Sequence, residues 1–156
     1  MEALCRHELP QICLTKGGAL NWKDDYSLGI EEIDNQHKNL LRLFNVAQDA
    51  LNGEQGWSPI HYAILAIIDF TRFHFRFEEA LMRLYAFPDY ENHSKAHLQF
   101  LAEAERIVGE SLRDRTREDA AKLFRDWLVN HILGADRDYA RHILAGTKVV
   151  GATVPK

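Results

Sequence analysis

Histidines and acidic residues lie inside the apolar stripes of four separate helical segments, and this pattern limits the folds open to the chain most strongly. In the first segment, His37 shares a 3.6-residue period with Leu40, Leu41 and Phe44. A polar group buried in a core without a partner costs several kcal/mol. The four segments must therefore meet where these groups satisfy one another or a shared ligand.

Residues that typically begin or end helices divide the chain into four predicted helices with short connections. Asp34 is predicted to cap the first helix, Ser58 and Pro59 begin the second, and Thr116 opens the fourth. The predicted helices cover about 35–51, 58–84, 89–112 and 116–146. This arrangement predicts an all-α fold, an antiparallel up-down-up-down four-helix bundle preceded by an N-terminal arm.

The same reading divides the chain into one domain with two extensions. Residues 1–21 are expected to form a flexible N-terminal extension, 22–146 the four-helix domain and 147–156 a C-terminal tail. Cys5 and Cys13 lie in the N-terminal extension without close CxxC spacing, so we interpret them as two reduced thiols. The role of this arm stays open.

Charge and hydropathy exclude two classes of partner. The net charge of −4 argues against a broad nucleic-acid surface, because phosphate binding needs a basic excess. No apolar run approaches the length of a membrane span, and the first residues lack the apolar stretch of a signal peptide. A cytoplasmic location is the default expectation.

Two pairs of ligand-type residues repeat every four positions. His74 and Glu78 stand at i and i+4 in the second helix, and His93 and His97 repeat this spacing in the third. Side chains at this spacing point the same way from a helix. Either pair alone is weak support for a site, because such pairs occur on many helices by chance.

The fourth helix carries its ligand-type residues at a less regular spacing. His131 and Asp136 are five residues apart, so a regular helix would turn them about 140° away from each other. Asp136 must reach sideways, or the helix must be widened locally beside Gly134. The spacing therefore predicts an irregular helix at this point.

The number of ligand-type side chains limits the metal. Five histidines and two carboxylates exceed the needs of one tetrahedral zinc. In a pair of six-coordinate ions, five imidazoles, two bridging carboxylates and a bridging oxide or hydroxide leave one position open. Imidazole with carboxylate suits iron, and also tolerates zinc, copper or manganese. A site rich in neutral histidine stabilises high-valent iron less than a carboxylate-rich site, which favours oxygen binding over oxygen activation.

Three stretches of the chain resemble the successive signatures of bacterial hemerythrins. They read WKDDYSLGIEEIDNQH, HFRFEEALMRLYAFPDYENHSKAH and HILGADRDY, within a resemblance that covers roughly Trp22 to Ala145. The connection between the first two helices and the gap from His97 to His131 look longer than is usual in that family. Neither departure touches the ligand set.

The resemblance implies a role for each ligand. One iron ion would be held by His93, His97 and His131. The other, which keeps the open position, would be held by His37 and His74. The carboxylates of Glu78 and Asp136 would bridge the two ions.

It also implies reversible dioxygen binding for storage, delivery or scavenging, without enzymatic turnover. An unidentified protein that accepts the oxygen is left open as a partner. An oxygen or redox sensor, a di-iron peroxidase and a nitric oxide reductase remain the alternatives.

Other side chains lie close to the ligands in sequence. Trp127, Leu128 and Ile132 flank His131, where Leu128 and Ile132 are candidates to line an entry route and Trp127 to add apolar bulk.

Tyr139 follows three residues after Asp136, where it either hydrogen-bonds a carboxylate of the site or packs with its hydroxyl at the surface. Glu79 points about 100° away from Glu78 and is expected to face solvent. His142 lies too far along the helix to join the cluster.

Overall fold

The structure, a computed structural model, describes residues 19–52, 57–110 and 116–150. The predictions for Cys5, Cys13 and the rest of residues 1–18 lie outside this part. The described residues form a 3₁₀ turn at Asp24–Tyr26 and helices α1 (Glu31–Asn52), α2 (Trp57–Leu84), α3 (Tyr90–Glu110), α4 (Thr116–His131) and α5 (Arg137–Val150), with the π-helical segment Ile132–Asp136 joining the last two.

Each helix packs against two neighbours, which closes a ring of four. α1 contacts α2 and α4, α3 contacts α2 and α4, and the π-helical segment continues α4 directly into α5 as one long rod. Within the described residues, this confirms the predicted four-helix bundle. No helix in the described part of the chain has an apolar stretch long enough to cross a bilayer.

Apolar clusters fill the bundle on both sides of a polar layer. One cluster is built around Phe44, Phe75, Phe100 and Phe124, and the cluster at the opposite end contains Tyr139. The buried polar layer lies between them and holds the candidate ligands. The site is therefore enclosed by protein along the bundle axis as well as around it.

The predicted capping role of Asp34 is wrong, because α1 begins one turn earlier. The N–H of Asp34 already donates to the Ile30 carbonyl at 2.9 Å, so Asp34 lies inside the first helical turn. Its carboxylate turns back and accepts hydrogen bonds from Ser27 Oγ at 2.6 Å and from the Leu28 N–H at 2.8 Å. Asp34 thus holds the preceding loop on the helix.

The predicted end of the fourth helix at Gly146 is also wrong. α5 continues through this glycine to Val150. A Cβ at position 146 would meet no atom within 4 Å, so this glycine marks neither a left-handed cap nor a close approach. A single glycine weakens a helix by only about 1 kcal/mol, which the packed face of a long helix outweighs.

Replacing Asp34 with Ala should destabilise the protein by about 1–3 kcal/mol, because the buried Leu28 N–H loses its acceptor. Urea unfolding followed by circular dichroism measures this change. Asp138→Ala is the matched control, since its carboxylate is 66% exposed and its ion pair, with Arg141 at 3.4 Å, lies at the surface, so it should change stability by less than about 0.5 kcal/mol. Equal effects of the two substitutions would contradict the role given to Asp34.

Candidate metal centre

Ligand-type side chains from all four helices of the bundle lie in one buried layer, where α4, the π-helical segment and α5 together count as the fourth helix. The seven residues singled out from the sequence are each at most 7% exposed, and they are His37, His74, Glu78, His93, His97, His131 and Asp136. α1 carries the first, α2 the next two and α3 the following two, while the rod formed by α4 and α5 carries the last two. The structure brings the whole predicted set together.

The π-helical segment explains how His131 and Asp136 face the same site. It spans Ile132–Asp136 and includes Gly134, the place where the sequence predicted a widened helix. A π turn holds one more residue than an α turn, so five residues return a side chain to nearly the same face. Asp136 Oδ1 consequently lies 3.0 Å from His131 Nε2, which confirms the predicted irregularity.

Glu78 lies between two groups of histidines and directs one oxygen to each. Oε1 lies 3.4 Å from His74 Nε2 and 3.8 Å from His37 Nε2. Oε2 lies 3.3 Å from His97 Nε2 and 4.0 Å from His93 Nε2.

Asp136 repeats this division from the opposite helix. Oδ2 lies 3.3 Å from His37 Nε2, whereas Oδ1 lies 3.3 Å from His93 Nε2. The ligand atoms consequently form two groups, each within 4.8 Å across: Glu78, His93, His97, His131, Asp136, and His37, His74, Glu78, Asp136. Both carboxylates belong to both groups, which is the arrangement of two neighbouring cation positions.

The unpaired atoms of this layer test whether cations fit. Within the part of the chain that the structure describes, His37 Nε2, Glu78 Oε2 and both Asp136 oxygens are buried without a hydrogen-bond partner. In addition, His97 Nε2 lies 3.0 Å from both His93 Nε2 and His131 Nε2, so three ring nitrogens converge. One ring proton cannot satisfy three nitrogens, whereas a cation accepts all their lone pairs. The donor set therefore fits a pair of metal ions held by imidazole and carboxylate.

Two further side chains orient the histidines, and the sequence did not reveal either. His74 Nδ1 lies 3.0 Å from Gln36 Oε1, and the Gln36 amide donates to Glu32 Oε1 at 3.0 Å. His97 Nδ1 lies 3.2 Å from Glu79 Oε1. An oxygen partner at Nδ1 keeps the proton there, so Nε2 keeps its lone pair for a metal ion.

The expectation that Glu79 faces solvent is therefore wrong. Its side chain is only 20% exposed, because α3 packs beside this face of α2 and places His97 within reach. The sequence shows an acidic residue next to Glu78, but it does not show that α3 lies beside this face of α2.

Burial and charge set the protonation of the layer. Burial lowers the pKa of His74 to about 4 and that of His97 to about 3, where neighbouring histidines add to the effect on His97. Both imidazoles are therefore neutral at pH 7, the form that binds metal. Burial acts against the charged forms of His131 and Asp136, yet their mutual attraction outweighs it, raising the pKa of His131 and holding the pKa of Asp136 well below its usual range.

Aromatic and aliphatic side chains enclose the histidines. Phe75 stacks on His97 with ring centroids 3.7 Å apart, and Trp127 stacks on His131 at 4.1 Å. Leu128 and Ile132 are buried in one apolar cluster, and the entry route suggested for them stays a prediction. These contacts hold the rings in place and keep bulk water from the polar layer.

Tyr139 contributes a hydrogen bond to the site. Its hydroxyl donates to Glu78 Oε1 at 2.7 Å, and the residue is fully buried. Burial and the neighbouring Glu78 carboxylate raise the pKa of Tyr139 well above its usual value, so the phenol keeps its proton. Of the two interpretations of Tyr139, the structure supports the bond to a carboxylate of the site. His142, by contrast, bonds the Tyr85 carbonyl at 2.9 Å and takes no part in the cluster.

Comparison with known proteins places these residues in a family. The family model "Hemerythrin HHE cation binding domain" matches residues 28–143. Proteins named bacteriohemerythrin are similar in sequence: the one from Stenotrophomonas maltophilia is 33% identical over 130 residues, covering 81% of this chain and 82% of that protein. The bacteriohemerythrin of Pseudomonas aeruginosa PAO1 is 35% identical over 124 residues, covering 77% and 78%.

Similarity extends beyond bacteria and to solved structures. A hemerythrin-like protein of Naegleria gruberi is 34% identical over 120 residues, covering 76% of this chain and 89% of that protein. A crystal structure of wild-type hemerythrin superimposes with a TM-score of 0.74 over 81% of this chain and 98% of that chain, at 24% identity, which supports the fold.

Removing either shared carboxylate charge should empty the centre. Glu78→Gln and Asp136→Asn keep the shape of each side chain, but an amide is a poor ligand and leaves the cation charge uncompensated. We expect each variant to lose most of its bound metal in elemental analysis. Asp138→Asn, two residues beyond Asp136 and exposed, is the control that should retain it. Full metal content in both site variants would refute the shared-carboxylate geometry.

Proposed function

The chain belongs to the hemerythrin family, and from this premise we propose that it binds dioxygen reversibly at a non-heme pair of iron ions. The observation that carries the proposal is the division of the ligand atoms into two groups that share Glu78 and Asp136. The role that follows is oxygen storage, delivery or scavenging, with dioxygen as ligand rather than as a substrate that is consumed.

The positions of the carboxylate oxygens relative to the histidines support the ligand assignment that the resemblance implies. His93, His97 and His131 would hold one iron ion, and His37 and His74 the other. Glu78 and Asp136 would bridge the two, since each carboxylate turns one oxygen toward each group. A bridging oxide or hydroxide would complete the pair. The two-histidine ion has fewer protein ligands and would keep the open position.

An iron pair held by these seven residues would supply the electrons for reversible dioxygen binding. The protein supplies the surroundings that make this exchange reversible. A metal-bound imidazole adds no charge, so five histidines and two carboxylates would give the centre only two anionic side chains. This limits the stabilisation of oxidised iron and favours binding over an enzymatic reaction.

A small apolar cavity lies one helical turn from the ligand layer. Its lining includes Leu40, Thr71 and Leu128, each three residues from a ligand histidine on its helix. The Thr71 hydroxyl is satisfied by the Ile67 carbonyl at 2.8 Å, so it offers the cavity no unpaired polar atom. Such a wall keeps water from this end of the ligand layer, and water exclusion would slow the loss of bound oxygen as superoxide.

Optical spectroscopy tests the proposed function. The ferrous protein should be nearly colourless, gain a visible absorption band in air and bleach again when oxygen is removed. Elemental analysis of the same sample should give about two iron ions per chain. Irreversible oxidation at first contact with air would instead support the sensor or enzyme alternatives. One zinc ion per chain would exclude dioxygen binding altogether.

Leu128→Ala should accelerate autoxidation of the oxygenated protein several-fold, because the truncation enlarges the apolar cavity and admits water near His131. Decay of the visible band at 25 °C measures the rate. Leu98→Ala is the matched control on α3, since Leu98 is 67% exposed and lies away from the cavity lining. An unchanged decay rate in Leu128→Ala would count against the role of this wall.

A further inference from the structure

The outward face of α2 is apolar along most of its length. Helix α2 buries one face in the bundle, yet the opposite face also carries large apolar side chains. Tyr62 is 69% exposed, Phe73 52% and Leu84 75%. Ala66 and Ala80 are exposed between them. A surface helix ordinarily presents polar residues to water, so an apolar stripe of this length indicates an interface.

The stripe follows the spacing of a helix-pairing seam. We define the outer stripe of α2 as Tyr62, Ala66, Asp69, Phe73, Arg76, Ala80 and Leu84. Successive members are separated by 4, 3, 4, 3, 4 and 4 residues. An alternation of three and four residues keeps one helix face against a partner helix, as in coiled coils. Packing of α2 within its own bundle does not require this spacing on the face turned to solvent.

The outer stripe is close to symmetric about Phe73. Ala66 and Ala80 each lie seven residues from Phe73, and Tyr62 and Leu84 each lie eleven residues away. If a second α2 runs antiparallel with a two-fold axis at Phe73, alanine faces alanine and Tyr62 faces Leu84. The small alanines then let the two helices approach closely on either side of the central Phe73 pair.

The charges on the stripe complement each other in this arrangement. Asp69 and Arg76 lie on the same side of the stripe, four residues before and three after Phe73. In the two-fold arrangement, Asp69 of one copy and Arg76 of the other differ in height along the helix axis by roughly 1.5 Å, the rise of one residue. The Asp69 side chain is 73% exposed, and Arg76 is exposed as well. Two symmetric ion pairs, each between Asp69 of one copy and Arg76 of the other, therefore cross the seam.

The other side of the stripe is complementary through apolar contacts. Phe70 and Phe77 are half-buried there, three residues before Phe73 and four after it. The same two-fold axis sets Phe70 of one copy beside Phe77 of the other. Within one copy, their rings already flank Phe73, with centroids 5.7 and 6.4 Å from it. Both edges of the seam are thus self-complementary.

We propose that the outer stripe of α2 is a dimer interface, occupied by α2 of a second copy of this chain in an antiparallel, two-fold arrangement. The stripe runs for roughly 33 Å at 1.5 Å per residue. Its exposed apolar area is on the order of 500 Å² per copy, which matches the largest patches found on monomers. Two such surfaces bury about 1,000 Å², the lower range of a specific interface. Interfaces of this size are typical of weak association, so we expect a reversible dimer with a roughly micromolar dissociation constant.

Sedimentation velocity over a range of concentrations tests the dimer on the full chain loaded with metal. The wild-type protein should pass from monomer to dimer between about 1 and 100 µM. Phe73→Glu places two like charges at the two-fold axis and should raise the dissociation constant at least about 30-fold, as expected for a central contact. Leu98→Glu adds the same charge to an exposed apolar position on α3 and should leave the dimer intact. Helicity and metal content of each variant check that it is folded.

Charge exchange tests the register independently of Phe73. Asp69→Arg and Arg76→Asp should each weaken the dimer, because like charges meet across the seam. The double variant, Asp69→Arg with Arg76→Asp, should recover it. Asp69 also pairs with Arg72 within its own copy at 2.7 Å, but this exposed pair is lost in both variants that change Asp69 and cannot produce a recovery.

Three results would overturn the proposal. They are a wild-type chain that stays monomeric at about 1 mM, a dimer that Phe73→Glu and Leu98→Glu weaken equally, and a double charge variant no better than either single one. A chain that stays monomeric but binds another protein or a lipid vesicle through this face would have a different occupant, and the proposal would also fail. None of these results depends on oxygen binding.

Discussion

The structure depends on the burial of two carboxylates and five imidazoles in the centre of a helical bundle. Glu78 and Asp136 are fully buried, and their ion-pair partners among the described residues are histidines. Uncompensated, such a layer would oppose folding, because buried charges are stable only when paired or bound to metal. Its ligand atoms instead form two groups, each within 4.8 Å and sharing Glu78 and Asp136, so cations held there would link all four helices of the bundle.

The fold and the ligand set were predictable because they rest on periodicity. The 3.6-residue repeat places His74 and Glu78 on one face of α2, and the apolar residues around them identify that face as buried. The five-residue step from His131 to Asp136 was informative for the opposite reason. It does not fit the period, and this misfit predicts the position of the π-helical segment.

What could not be predicted depends on distances between helices. Gln36 and Glu79 become partners of His74 and His97 only because α1 and α3 pack at particular heights along α2. Asp34 was misjudged for a related reason. Its position before an apolar run is typical of a cap, but its carboxylate finds better donors in the folded-back loop at Ser27 and Leu28. Local patterns indicate which face a residue is on and not which neighbour it meets.

The hydrogen bonds that orient His74 and His97 differ in the charge of their acceptors. The ring of His74 is polarised by the neutral amide oxygen of Gln36, whereas the ring of His97 is polarised by the carboxylate of Glu79. An anionic acceptor draws the ring proton more strongly, so it pushes more electron density onto the far nitrogen than an amide does. His97 would therefore be the stronger electron donor to a bound metal ion, so the two cation positions would differ in how well they stabilise positive charge.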